Sequence, residues 1–96
     1  MKIRELLSDE TKWCKKALAR DKNDEKIDVD SKHACKWCLY GAMCKCYNIN
    51  EEFNDVREKI YNQLTKKRNM VTISQWNDCC STYFKDVKEL IDELDI

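Results

Sequence analysis

Proline is absent from this 96-residue chain, glycine occurs once and histidine once. Ordinary usage would supply about five prolines and seven glycines per hundred residues. Sandwiches and barrels reverse direction every dozen residues or so on such turn formers, so the composition argues against a strand-rich fold. A lone Gly41 cannot build a glycine-rich phosphate loop or a dinucleotide fingerprint. Charge of either sign is not in surplus: 18 Lys and Arg against 18 Asp and Glu leave 18 − 18 = 0. Nucleic-acid binding through phosphate neutralisation needs a basic excess, so a nucleic-acid partner is not expected. No stretch approaches the ~20 apolar residues of a membrane span. The opening Met-Lys-Ile-Arg-Glu-Leu-Leu-Ser has no apolar signal core and no small-residue cleavage site. A cytoplasmic location without a membrane partner is the expectation.

What is there fits one helical domain. Hydrophobic residues are 43% and charged residues 38%, a folded rather than a disordered balance. Ile3, Leu6, Leu7, Trp13, Cys14, Ala17 and Leu18 form a stripe of period 3.6, predicting a helix over 2–20, with a break at Ser8 if that residue caps Asp9 and Glu10. Residues 21–31 are polar and acid-rich and predict a surface loop, with a short extended piece at 26–29. Asp30 or Ser31 would cap a second helix reaching Tyr47, burying Ala34, Cys35, Cys38, Leu39, Ala42 and Cys46. A third, capped by Asn48 or Asn50, spans 51–68 with Phe53, Val56, Ile60, Tyr61 and Leu64 inward, and Asn69 stops it after Lys66-Lys67-Arg68. Met70–Ile73 reads as an apolar connector, Ser74 as the cap of one turn holding Trp76. Ser81 or Thr82 would start a last helix over 82–95 with Val87, Leu90, Ile91 and Leu94 inward. The expected fold is all-α, a single small domain over 1–96 of four to five helices.

Seven cysteines, an odd number, cannot all pair within the chain. Small buried hydrophobes are their expected role, and no cofactor is expected. The alternative is a structural zinc module built on Cys35-x-x-Cys38, with Cys44, Cys46, Cys79 or Cys80 completing four ligands. On a continuous helix, however, Cys44 and Cys46 point about 200° apart, at ~100° per residue, and cannot converge on one ion. A redox pair at Cys35 and Cys38 lacks the strand–helix context such pairs use. His33 lies two residues from Cys35, nearly opposite on a helix, and cannot act as its base. No carboxylate pair is flanked by apolar surface, and Asp92, Glu93 and Asp95 read as a solvated face. Trp13, Trp37 and Trp76 are either core or, in part, anchors for a partner.

Two segments carry a resemblance. Ala34-Cys35-Lys36-Trp37-Cys38-Leu39-Tyr40-Gly41-Ala42 and Trp76-Asn77-Asp78 resemble the Ala-x-x-Trp-Cys-x-x-Gly-Ala and Trp-Asn-Asp segments of a family of small uncharacterised phage and bacterial proteins. Ala19-Arg20-Asp21 is similar to a third element of that family. Its members commonly carry a glycine in the loop after Ala-Arg-Asp and a Pro-Gly turn after Trp-Asn-Asp, where this chain has Lys22-Asn23-Asp24 and Cys79-Cys80-Ser81. The resemblance spans roughly 13–94 and implies a phage or bacterial cytoplasmic setting, with no assigned reaction and no catalytic residue. Read from the residues themselves, Trp37 and Cys38 fill the core, Gly41 and Ala42 admit a neighbouring helix, and Asn77 and Asp78 hydrogen-bond backbone donors at a turn. The functional alternative makes Trp37, Trp76, Asn77 and Asp78 a recognition surface. The leading expectation is a non-enzymatic module that binds and modulates a host protein, defence machinery included. A zinc module is one alternative. A small-molecule binder or enzyme without a recognisable motif is the other.

Overall fold

The computed structural model describes residues 1–47, 51–67 and 72–96. Five α-helices are described: α1 (Ile3–Leu6), α2 (Leu39–Tyr47), α3 (Glu51–Lys67), α4 (Ile73–Asp78) and α5 (Phe84–Leu94). A two-stranded sheet, β1 (Ala19–Arg20) against β2 (Lys36–Trp37), interrupts them. The fold is a small, mostly helical domain, as composition predicted.

The first half departs from the helical reading. Only Ile3–Leu6 of the expected 2–20 helix is α-helical. Asp9 adopts an extended φ of −153° and accepts from the Thr11 amide at 2.9 Å, capping a single 3₁₀ turn over Glu10–Lys12. The helix breaks at Ser8 as expected, but Asp9 and not Ser8 supplies the cap. Trp13 is extended, and the Cys14 amide donates to the Trp37 carbonyl at 3.1 Å. Lys16 turns through a left-handed φ of 63°. Leu18, expected inward, is 49% exposed. Its helical spacing with Cys14 was a coincidence of sequence.

The second helix starts at Leu39, not at Ser31. Upstream, backbone groups find partners far away in sequence: the Cys35 amide donates to Arg20 O at 2.9 Å and the Cys38 amide to Leu18 O at 3.2 Å. β1 and β2 pair antiparallel, Ala19 opposite Trp37 and Arg20 opposite Lys36. These long-range bonds satisfy donors that a helix would otherwise have satisfied locally.

The second half follows its periodicity. Phe53, Val56, Ile60 and Leu64 of α3 are buried, and so are Val87, Leu90 and Ile91 of α5. Tyr61, also expected inward, is 46% exposed. Thr72, not Ser74, caps α4 by accepting from the Gln75 amide at 3.0 Å. α5 begins after Tyr83, whose amide donates to Asp86 at 2.9 Å, rather than after Ser81 or Thr82. The predicted caps Asn48 and Asn50, the stop at Asn69, the helix end at Arg68 and the start of the connector at Met70 lie outside the described residues.

α2 sits centrally, packing on α1, α3 and α4, and one hydrophobic cluster joins all five helices to the sheet. The chain ends meet on its rim. The Arg4 amide donates to Ile96 O at 3.3 Å, and Lys2 and Arg4 both pair with Asp95. The Cα radius of gyration, 12.3 Å, is close to the roughly 12.5 Å of a folded chain this long.

Candidate functional site

Trp76-Asn77-Asp78 and Trp37-Cys38 meet at the loop 13–16. Asn77 is completely shut away from solvent and fully bonded. Its Oδ1 accepts from Trp13 Nε1 at 2.7 Å and from the Leu39 amide at 3.0 Å. Its Nδ2 donates to Cys14 O at 3.1 Å and to Asp78 Oδ1 at 3.0 Å. One side chain thus caps α2 and holds the strand-like segment at Trp13 and Cys14. Asp78 Oδ1 also accepts from the Lys16 amide at 2.8 Å, fixing the residue with positive φ.

Arg20 extends the same clamp. Its guanidinium donates to Lys15 O at 3.0 Å and to Asp24 O at 2.8 Å. Asp21 Oδ1 accepts from the amides of Asn23 and Glu25, closing the turn where the resembling family commonly has glycine. Trp37 Nε1 donates to Val29 O at 3.1 Å. Gly41 faces backbone: an added Cβ would collide with the Leu18 carbonyl oxygen. Gly41 therefore admits the 14–19 loop, where a helix was expected.

The proposed recognition surface does not fit this arrangement. Trp37 and Trp76 are buried, Asn77 completely so, and only Asp78 is half-exposed. Their motif brings together distant backbone, and no buried side-chain nitrogen or oxygen among the described residues lacks a partner. Of the tryptophans only Trp13 is half-exposed, its ring 6.1 Å from Phe84 and beneath the Lys15 ammonium at 5.5 Å.

The cysteines divide by burial. Cys14 and Cys38 are buried, Cys44, Cys46 and Cys79 half-buried, and Cys35 and Cys80 exposed. Cys44 and Cys46 both lie on α2, where their side chains diverge, whereas Cys35 precedes β2 and Cys38 precedes α2 instead of sharing that helix. Among the described residues no three His, Cys, Asp or Glu side chains come together to hold a metal. Burial pushes the Cys14 thiol up to about 11, with the neighbouring Cys38 adding to it, and likewise pushes Cys46 up to about 11. Cys38 and Cys44 shift upward for the same reason. Cys79 alone shifts down, through its hydrogen bond with the Ser81 hydroxyl, 3.1 Å away.

What the surface does present was not singled out from sequence. Tyr61, with Tyr40, Arg57, Thr72, Ile73 and Ser74, lines a shallow groove between α3 and the start of α4. Tyr83, 61% exposed, lines another with Glu10, Phe84, Lys85 and Lys88. Tyr61 could have been found: it follows Ile60 by about 100° around the helix and lies four residues after the polar Arg57.

The chain belongs to DUF6197, a family of unknown function, whose model matches residues 1–94. No curated protein and no solved structure matches the chain. DUF6197 membership supplies no reaction, so function rests on the chemistry of this chain's own surface. Among the described residues no helix is long and apolar enough to cross a membrane.

Proposed function

We propose that the chain is a non-enzymatic module that acts by binding a protein partner through the α3–α4 groove. The observation that carries this reading is the exposed Tyr61, 46% accessible and grouped with Tyr40 and Arg57. Tyrosine and arginine are the residue types that dominate binding energy at protein interfaces, and a rigid aromatic ring loses little entropy on docking. Tyr40 is held in place by an edge-on contact with the buried Phe53 ring, 5.9 Å between centroids. The groove is therefore preorganised, which lowers the cost of association. A phage-type protein acting on a host protein, with defence machinery among the candidates, is the setting the motif resemblance supports.

The test compares tagged wild-type protein with the double variant Tyr61→Ala/Arg57→Ala, each recovered gently from host cytoplasm under reducing conditions and weighed intact. Both residues are exposed, so the variant keeps its fold. A protein in fixed stoichiometry with the wild type, and at least ~10-fold depleted with the variant, is the expected result. Equal recovery by both proteins, or no partner together with turnover of a small molecule, overturns the reading.

A further inference from the structure

The small sheet has an open edge. On the side of β1 away from β2, residues 25–27 run antiparallel to it, with Lys26 opposite Arg20. The Asp21 amide donates to Glu25 O at 2.9 Å and the Ile27 amide to Ala19 O at 3.1 Å. Backbone groups of an extended chain point to alternate sides, so the Lys26 amide and carbonyl and the Asp28 amide turn outward. Among the described residues none of these three groups has a hydrogen-bond partner. Side chains alternate as well. Lys26 and Asp28 are exposed on the face that carries Arg20 and Lys36, both of which pair with Asp24. Neither Lys26 nor Asp28 is ion-paired among the described residues. Leu18, 49% exposed, lines a shallow hollow beside this edge with Ala17, Lys26, Ile27 and Asp28.

We propose that this edge pairs with a second copy of the chain, antiparallel and centred on Ile27. An unpaired strand edge is a template for another strand. The order Lys26-Ile27-Asp28 selects a copy of itself. Turned end for end, it sets Lys26 opposite Asp28 of the second copy, and Asp28 opposite Lys26 of the second copy. Two cross-strand pairs of opposite charge then form about one twofold axis. Moving the axis to Lys26 or to Asp28 would set like charges opposite, so the charges fix the register. Each Lys26 carbonyl accepts from the Asp28 amide across the axis. Each Lys26 amide donates to the opposite Asp28 carbonyl, whose second lone pair the Ser31 amide leaves open. The pairing also brings the apolar stem of the second copy's Lys26 toward the hollow at Leu18.

Sedimentation velocity tests this on the full chain at low salt, up to ~1 mM, the range in which a small interface associates. A reductant keeps the seven cysteines from cross-linking copies. The wild type is expected to dimerise with rising concentration. Lys26→Glu and Asp28→Lys each set like charges opposite at both pairs, and each should weaken the dimer at least ~10-fold. Both positions are exposed, so the variants keep the fold, which circular dichroism checks. Mixed one to one, the two variants have opposite charges at both pairs again, and the mixture should dimerise as the wild type does. A wild type monomeric throughout, which would leave the edge to another protein's strand, overturns the proposal. So does an undiminished dimer in either variant alone, or a mixture that associates no better than its components.

Discussion

Asn77 shows what one buried amide can organise. Its two acceptor and two donor bonds reach a side chain, two backbone segments and its neighbour Asp78. Asn77→Ala leaves the Trp13 indole and the Leu39 amide without that acceptor, and each orphaned buried group costs about 1–3 kcal/mol. A loss of about 3 kcal/mol is expected in urea unfolding, a large share of the roughly 5–15 kcal/mol that holds such a domain together. Asn77→Asp should also destabilise: it keeps the acceptor but loses the donor to Cys14 O and sets a carboxylate beside Asp78. An Asn77→Asp protein as stable as wild type would show that the donor side of the amide contributes nothing. Asn77 and Asp78 were legible from sequence as ligands of backbone donors. Its targets were not, because they lie 38 to 64 positions away.

Among the elements, α3 and α5 bury the stripes their sequences predict, and α4 and α5 are capped locally, by Thr72 and Asp86. Segments 9–20 and 31–38 had equally good stripes and did not become helices. Their amides bond across the fold, Cys14 to Trp37 and Cys35 to Arg20, and propensity is too weak a preference to resist that. Gly41 measures the closeness of this packing. In an open helix Gly41→Ala would gain about 1 kcal/mol from helix preference. Here the methyl meets the Leu18 backbone, which cannot swing aside as a flexible side chain would. Overpacking at such a site costs about 1–3 kcal/mol. The collision outweighs the preference, so a lower melting temperature is expected for Gly41→Ala, and a higher one would refute the close approach.

For the molecule as a whole, the buried thiols make stability depend on alkaline pH. Cys14 and Cys46 are both pushed up to about 11 by burial, whereas an unfolded cysteine ionises near 8.5. The unfolded chain therefore releases these protons first. The stabilisation is complete below about pH 8.5 and is lost as pH climbs toward about 11. Melting temperatures should fall across that window. The fall should be shallower in Cys14→Ala/Cys46→Ala, whatever that variant's stability at pH 7; equal slopes would mean the thiols are not desolvated. At the same scale, the α3–α4 groove is a property of assembly: α3 supplies Arg57 and Tyr61, α2 Tyr40, and the start of α4 the rest.

Composition alone determined the class of this protein. Without proline and with one glycine, the chain has few ways to turn tightly, and its apolar residues can be buried only by packed helices. Periodicity determined the inward faces of α3 and α5, because a 3.6-residue stripe has one side to bury whatever lies opposite. Only the tertiary structure decided the rest. Backbone hydrogen bonds between residues far apart in sequence leave no local pattern, so the β1–β2 pairing, the late start of α2 and the burial of Trp37, Trp76 and Asn77 appear only once the chain has folded back on itself. The exposure of Tyr61 arises in the same way: it depends on what a neighbouring element covers, and that is settled by packing rather than by the residue itself.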